Sequence, residues 1–179
     1  MQQIIGQAVG ILAMAFNIFS YQQKKQTNLL VCQLMGASLF AVNFFLLGAW
    51  VGALLNIVAA VRTVLFLFKE KLKTTHPIWL IGFSLLFVAF YVLSFTVFGT
   101  APTVPNFLLE VLPVVGSVAL SLGYMLDDTT WVRRMGLISS PAWLIYNIYH
   151  LSVGAIVCEV LSLISIFLGI LRHDKKKRV

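Results

Sequence analysis

The sequence has little charge. Only 11% of its 179 residues are charged and just six are acidic, whereas 60% are hydrophobic. A soluble domain of this size needs far more polar surface to cover its core, so an ordinary soluble protein is excluded. The two cysteines, Cys32 and Cys158, give neither a disulfide framework nor a metal-ligand spacing. We interpret both as small apolar side chains inside the protein.

In place of charge, the sequence has long apolar runs. About 20 consecutive apolar residues cross a bilayer as an α-helix. Blocks of about this length follow one another along the chain, and their continuity favours helices over the alternating pattern of a β-barrel. The predicted spans cover residues 4–21, 28–47, 51–68, 78–98, 107–126, 132–149 and 153–171.

The basic residues lie in alternate turns and in the carboxyl-terminal tail. Positive charge collects on the cytoplasmic side of membrane proteins, and none precedes the first block. Seven spans with the amino terminus outside and the carboxyl terminus inside place every basic residue except Arg62 on the cytoplasmic side. We therefore interpret the net charge of +7 as topology signals and lipid contacts rather than nucleic-acid binding. The cytoplasmic residues are Lys24, Lys25, Lys69, Lys71, Lys73, Arg133, Arg134, Arg172, Lys175, Lys176, Lys177 and Arg178.

A shift of 103 residues superposes the first three blocks on the last three without a gap, placing Asn56 on Glu159. Three helices per half is an odd number, so the fourth block has to invert the chain before the second half. The predicted fold is an all-α membrane protein with seven transmembrane helices, a 3+1+3 arrangement of two parallel triple-helix bundles, as in some transporters. The predicted segments are 4–68 for the first bundle, 78–98 for the inversion-linker helix, 107–171 for the second bundle and 172–179 for a basic cytoplasmic tail.

Short stretches in both halves resemble known membrane proteins. They are Asn43-Phe44-Phe45-Leu46-Leu47-Gly48, residues 55–63, Val111-Leu112-Pro113-Val114-Val115-Gly116 and residues 143–159. With the repeat, they make the chain similar to the SWEET and SemiSWEET sugar-transporter superfamily, and more closely to the YgjV family of bacterial inner-membrane proteins. The resemblance covers nearly the whole chain and implies a multi-pass protein of the bacterial inner membrane.

The resemblance also suggests cavity residues. The SemiSWEET pattern places an aromatic residue on the second helix and an Asn on the third, both facing the transport cavity. The matching positions in this sequence are Phe40 with Asn56, and Trp143 with Glu159. The superfamily's Pro-Gln hinge is replaced here by Ser20-Tyr21-Gln22 and by Gly123-Tyr124-Met125.

Polar residues within the apolar blocks are the remaining candidates. An ionisable side chain in the bilayer normally faces the bundle interior, where it has a partner. Glu159 and Asn56 lie on faces of small residues, which is typical of close helix packing and of a cavity wall for a polar solute. Tyr146, Asn43 and Asn147 lie about one turn outward of the aromatic pair. They are predicted to line the same cavity or to form hydrogen bonds between helices.

Two charged residues are candidates for a gate or an ion pair. Arg62 lies six residues cytoplasmic of Asn56, about 9 Å along the helix. It is predicted to snorkel to the inner interface, to pair with Glu159 or to anchor an inner gate. Glu110 lies near the outer end of the fifth span, where it is either hydrated or part of an outer gate.

The favoured function is a carrier or facilitator for a small polar, sugar-like solute that works by alternating access. The alternatives are a PnuC-like vitamin or nucleoside carrier, in which Trp143, Tyr146 and Tyr149 stack a base, and a non-transporting membrane protein that organises a partner. An enzyme is not expected, because the sequence shows no nucleophile–base pair, metal cluster or phosphate loop. No cofactor is expected. The expected partners are the bilayer and the solute; a monomer is sufficient, and a homo-oligomer is compatible with the fold.

Overall fold

The structure is a computed structural model that describes residues 2–46, 50–97, 99–126, 128–149 and 153–174. Within these ranges the secondary structure is helical and contains no strand, which confirms the predicted all-α class. Each predicted apolar block overlaps most of one long described helix. In chain order the helices are α1 (Gln2–Ser20), α2 (Gln26–Leu46), α3 (Trp50–Leu67), α4 (Lys69–Leu72), α5 (Pro77–Thr96), α6 (Val104–Met125), α7 (Thr129–Tyr149) and α8 (Val153–Gly169), which continues as a π-helix over Ile170–Asp174.

Three of the described helices are long and apolar enough to cross a membrane: Pro77–Thr96, Val104–Met125 and Gly154–Asp174. Ile4–Ser20 and Leu55–Leu67 are shorter apolar helices. Helix α5 has an exposed apolar face that includes Ile78, Ile81 and Leu85. Such a face is too apolar for water and suits contact with lipid. Residues 47–49, 98 and 175–179, which include most of the predicted basic tail, lie outside the described ranges.

Local sequence explains where the helices begin. His76 Nδ1 accepts a hydrogen bond from the backbone N–H of Ile78 at 3.2 Å, and Pro77 occupies the first turn of α5. Proline is tolerated in this turn because the missing N–H has no partner within the helix. The same device, with Thr103 as the cap, starts α6 at Val104 rather than at the predicted residue 107. Helix α7 begins at Thr129, three residues earlier than predicted, and it contains Arg133.

The packing order of the helices divides them into two groups. Helix α2 packs against both α1 and α3, and α7 packs against both α6 and α8. The groups meet where α3 contacts α6 and where α1 contacts α8. Helix α5 lies against α6. We call these two meeting lines the α3–α6 junction and the α1–α8 junction.

Aromatic side chains fix α5 to the α3–α6 junction. The ring centroids of Phe66 and Tyr124 are 5.8 Å apart in an edge-on contact, and those of Phe66 and Phe83 are 6.2 Å apart. Phe83 in turn stacks on Phe87 at 6.4 Å. This buried cluster, with Leu29 packed in the same core, lies towards the end of the molecule where α1, α3 and α6 end. We call this end, which carries the basic turns, the basic end.

Candidate functional site

A cavity of about 210 Å³ lies at the α3–α6 junction, between α3, α5, α6 and α7. Its volume is below the roughly 300–1,000 Å³ of pockets for drug-sized ligands, so it suits a small solute. The lining residues of α6 and α7 lie away from the basic end, since α6 begins and α7 ends at the opposite side. Among the described residues, the aromatic lining consists of Phe87, Phe90, Tyr91, Trp143 and Tyr146, and the polar lining of Ser94, Thr100, Glu110 and Ser117.

A proline and a glycine of α6 help to shape the cavity wall. Pro113 lies inside α6 and lines the cavity. Gly116 is buried, and a Cβ atom added to it would lie 3.0 Å from Cδ1 and 3.1 Å from Nε1 of Trp143. The absence of a side chain at Gly116 therefore lets the indole of Trp143 approach α6 closely.

Two of the lining aromatic residues form a defined pair. The rings of Trp143 and Tyr146 are nearly perpendicular, at 87°, with centroids 5.9 Å apart. This edge-on arrangement is favoured by the quadrupoles of the two rings. Tyr146 also lies close enough to Glu110 to interact with it electrostatically. Tyr146 thus places an aromatic ring near the carboxylate of the cavity, and Trp143 packs against that ring.

Arg62 lies beneath the cavity. Its side chain is buried, and Nη1 donates hydrogen bonds to the carbonyl of Ser117 at 3.0 Å and to Ser121 Oγ at 3.1 Å. The guanidinium lies 5.2 Å from the ring centroid of Tyr124 and 5.6 Å from that of Phe87. Nε has no hydrogen-bond partner among the described residues. Because Ser117 and Phe87 line the cavity, Arg62 forms part of the layer that closes its floor.

The structure brings together Glu110, Trp143 and Tyr146 of the residues selected from the sequence. Glu159 lies elsewhere, near the α1–α8 junction, where it hydrogen-bonds with Ser140 and interacts with Tyr21. The predicted pairing of Arg62 with Glu159 is absent from the described contacts, because Arg62 turns towards the serines of α6 and Glu159 towards α7.

The remaining candidates lie outside the described cavity lining. Asn43 is buried and donates from Nδ2 to the carbonyl of Gly6 at 2.7 Å. This bond joins α2 to α1, as the helix-packing interpretation of Asn43 requires. Phe40, Asn56 and Asn147 are half-buried, and their predicted contact with solute remains a prediction.

Arg133 holds the basic end closed across the two groups of helices. Its side chain is fully buried, and Nε donates to the carbonyl of Tyr21 at 2.9 Å. Nη2 donates to the carbonyl of Gln23, and Nη1 forms an ion pair with Asp174 at 2.6 Å. One guanidinium of α7 thus ties the α1–α2 turn to the end of α8. We call this set of contacts the Arg133 clasp.

Gln26 makes the reciprocal contact. Its Nε2 donates to the carbonyls of Tyr124 at 3.0 Å and Leu126 at 2.6 Å, in the α6–α7 turn. Its Oε1 accepts a hydrogen bond from Lys69 Nζ at 3.0 Å. The 103-residue shift places Tyr21 on Tyr124 and Gln23 on Leu126. The carbonyls that this shift superposes are therefore each held by a side chain from the other group of helices. We call the contacts of Gln26 the Gln26 clasp.

Further hydrogen bonds tie the α1–α8 junction near the same end. Gln22 Nε2 donates to the carbonyl of Ser165 at 2.6 Å and to its Oγ at 2.9 Å. Ser165 Oγ donates to the carbonyl of Ile18 at 2.6 Å. Between the halves, the hydroxyl of Tyr124 donates to Gln33 Oε1. These contacts and the two clasps close the basic end, whereas the cavity lies towards the opposite end.

Sequence reasoning missed the structural role of Arg133, which it interpreted only as a topology signal. The neighbouring Arg134 has the same charge but is exposed, with its guanidinium 5.0 Å from the ring centroid of Trp131. Two adjacent arginines at the start of a helix give no sign of which one is buried. The acceptors of Arg133 are backbone carbonyls, which carry no residue-specific signal.

The donor groups of the cavity suit an organic solute better than a metal ion. Within the described ranges, no three His, Cys, Asp or Glu side chains lie close enough together to hold a metal. The lining instead combines aromatic rings, hydroxyl groups and one carboxylate. Pockets with a few polar groups among apolar and aromatic walls are typical of sites for small organic molecules.

Comparison with known proteins shows the family of the chain. The model of the Imp-YgjV family, described as a bacterial inner membrane protein, matches residues 4–177. No curated protein and no solved structure matches the chain. The matched segment extends from α1 to the end of α8, and the long apolar helices fit a membrane location. The chain therefore belongs to the Imp-YgjV family of bacterial inner membrane proteins.

Proposed function

We propose that this protein carries a small polar solute across the inner membrane by alternating access between two triple-helix bundles. The observation that carries the proposal is a cavity at the α3–α6 junction whose far side, at the basic end, is closed by reciprocal contacts between the halves. Carriers built from parallel repeats hold the solute near the repeat interface and open to each side in turn. No enzymatic step is included in the proposal.

The helix bounds support two repeated bundles separated by α5. A shift of 103 residues carries α2, at residues 26–46, onto residues 129–149, which are the bounds of α7. The same shift carries α3 onto residues 153–170 and α1 onto residues 105–123, which overlap α8 and α6 almost completely. Three consecutive helices therefore keep one spacing, as expected for a 3+1+3 arrangement with α5 as the inversion linker.

Equivalent contacts across the two junctions give independent support. Arg62 on α3 contacts Ser121 on α6, and Ser165 on α8 contacts Ile18 on α1. The shift of 103 residues places Arg62 on Ser165 and Ile18 on Ser121. The same pair of positions thus meets at both junctions, as expected if the halves are related by a two-fold axis along the membrane normal.

The positive-inside rule gives the orientation of the proposed carrier. With seven spans it places the basic end in the cytoplasm, the amino terminus outside and the carboxyl terminus inside. The cavity then lies in the outer half of the membrane, and the two clasps form an inner gate. Transport requires a second state in which the Arg133 and Gln26 clasps separate while the outer ends of the bundles approach each other.

A PnuC-like carrier of a nucleoside or vitamin precursor is the second candidate. The perpendicular Trp143–Tyr146 pair in the cavity favours it, because exposed ring faces can stack a base. The third possibility, a protein that organises a partner without transport, keeps the same helices but requires no solute in the cavity. Measurements of uptake and competition separate these alternatives.

The test is uptake by proteoliposomes that contain the purified protein. Labelled sugars, nucleosides, amino acids and organic amines are offered to the wild type, Gly116→Val and the control Gly82→Val. A Cβ atom at position 116 would lie 3.0 Å from Trp143, so the valine displaces the indole that lines the cavity, whereas a Cβ atom at Gly82 meets no atom within 4 Å. We expect saturable uptake by the wild type and the control and its loss in Gly116→Val. Equal uptake by all three proteins would contradict the proposal, as would the absence of uptake above empty liposomes.

A further inference from the structure

The cavity lining combines one acidic side chain with several aromatic rings. Among the described lining residues, Glu110 is the only acidic one, and none of them is a lysine, arginine or histidine. Five of the described lining residues are aromatic. The face of an aromatic ring carries negative electrostatic potential, which attracts cations and ammonium groups in particular. Carboxylate and ring faces therefore favour the same kind of ligand, a cation.

The positive charge of Arg62 lies on the side of the cavity that is away from Glu110. Its contacts run along α6 from Ser117 to Tyr124, towards the basic end. Glu110 lies seven residues from Ser117 in the opposite direction, about 10 Å along the helix axis. A cation beside Glu110 thus lies next to the carboxylate and two helical turns from the guanidinium. Arg62 also repels such a cation from the floor and keeps it in the outer part of the cavity.

The other polar groups of the lining fit a small ammonium compound. Ser94 and Ser117 provide hydroxyl oxygens that accept hydrogen bonds from N–H or O–H groups. Recognition of a sugar uses several directional donors and acceptors, whereas most of this lining is aromatic or aliphatic. The volume of about 210 Å³ also selects for a small molecule.

From these observations we infer that the cavity binds a small organic cation, a primary or methylated ammonium compound, between Glu110 and the aromatic rings of α5 and α7. That this cation is the transported solute rests on the proposed function. The inside-negative potential of a bacterial inner membrane would favour its inward movement. Binding itself is independent of transport and can be measured separately.

The test is equilibrium binding to the detergent-purified protein by calorimetry, with methylammonium, choline, betaine and dimethylbutanol as probes. Dimethylbutanol is the neutral isostere of choline in which carbon replaces nitrogen. We expect choline or methylammonium to bind, and choline to bind at least about tenfold more tightly than dimethylbutanol, because only choline engages the carboxylate and the ring faces as a cation. Glu110→Gln should weaken cation binding by a similar factor. The matched control Glu70→Gln, at an exposed position on α4, should leave it unchanged.

The outcomes separate the inference from the proposed function. Equal binding of choline and its isostere, no binding of either cation, or tighter binding of the zwitterion betaine than of choline would each overturn the inference. The comparison of choline with its isostere uses the wild type, so a folding defect in Glu110→Gln leaves the test intact. Cation binding without uptake by proteoliposomes would support this site and contradict the carrier. Sugar uptake that choline does not inhibit would support the carrier and contradict this site.

Discussion

Replacement of Arg133 should cost far more stability than replacement of its neighbour. Arg133→Met keeps an apolar stem of similar length but removes the guanidinium that holds Tyr21, Gln23 and Asp174. The ion pair is buried, with the side chain of Arg133 0% exposed and that of Asp174 9% exposed. Removal of one partner from a buried ion pair typically costs about 3–5 kcal/mol, because the other charge remains buried without compensation. We expect a loss of this size in the free energy of unfolding.

Arg134→Met is the matched control. It removes the same charge one residue away, but Arg134 is exposed and its described contact is with the ring of Trp131. An exposed cation–π contact contributes about 0.5–1 kcal/mol, so the control should lose no more than this. Unfolding in mixed micelles, followed by circular dichroism, measures both variants under the same conditions.

A double variant tests whether the broken ion pair causes the loss of stability in Arg133→Met. Asp174→Asn introduced into Arg133→Met removes the uncompensated carboxylate and should recover part of the lost stability. The coupling energy between contacting residues is typically about 0.5–3 kcal/mol. Equal losses in Arg133→Met and Arg134→Met, or strictly additive effects of Arg133→Met and Asp174→Asn, would refute this account of the clasp.

Three further predictions concern the other clasp, helix packing and topology. Gln26→Leu removes the hydrogen bonds to the carbonyls of Tyr124 and Leu126 and should lower the free energy of unfolding by about 1–3 kcal/mol in the same assay; no change would show that this clasp is not formed. Asn43→Ala leaves the buried carbonyl of Gly6 without its donor and should cost about 1–3 kcal/mol without changing solute binding, as calorimetry can verify; weakened binding at unchanged stability would contradict the packing role. Carboxyl-terminal fusions should give an inactive alkaline phosphatase and a fluorescent green fluorescent protein, and the reverse pattern would contradict the orientation.

The helices could be predicted from the sequence because bilayer-length apolar runs leave few alternatives for the backbone. The residues at which the helices begin were harder to predict. Thr103 and Pro105 extend α6 back to Val104, and α7 begins at Thr129, three residues before the predicted apolar block. The first turns of these two helices therefore lie in segments that the sequence analysis interpreted as turns.

The site could be predicted only in part. Trp143 was a candidate through the SemiSWEET resemblance, Tyr146 through its position about one turn outward, and Glu110 as an ionisable residue of an apolar block. All three line the cavity. The contribution of α5, including Phe87 and Tyr91, was missed. This helix is apolar on all sides, so periodicity cannot show which face meets α6 and which meets lipid. The linker helix of the predicted topology is therefore also a wall of the cavity.

The most direct test of alternating access is to measure from which side of the membrane a reagent can reach position 117. Ser117→Cys places a thiol in the cavity lining, after Cys32 and Cys158 are replaced by alanine. A membrane-impermeant thiol reagent is then applied to right-side-out and inverted vesicles. We predict labelling from the outside when the clasps are intact, and a shift towards labelling from the cytoplasmic side when Arg133→Met and Gln26→Leu are added. Labelling that stays on one side in both proteins would contradict alternating access through this cavity.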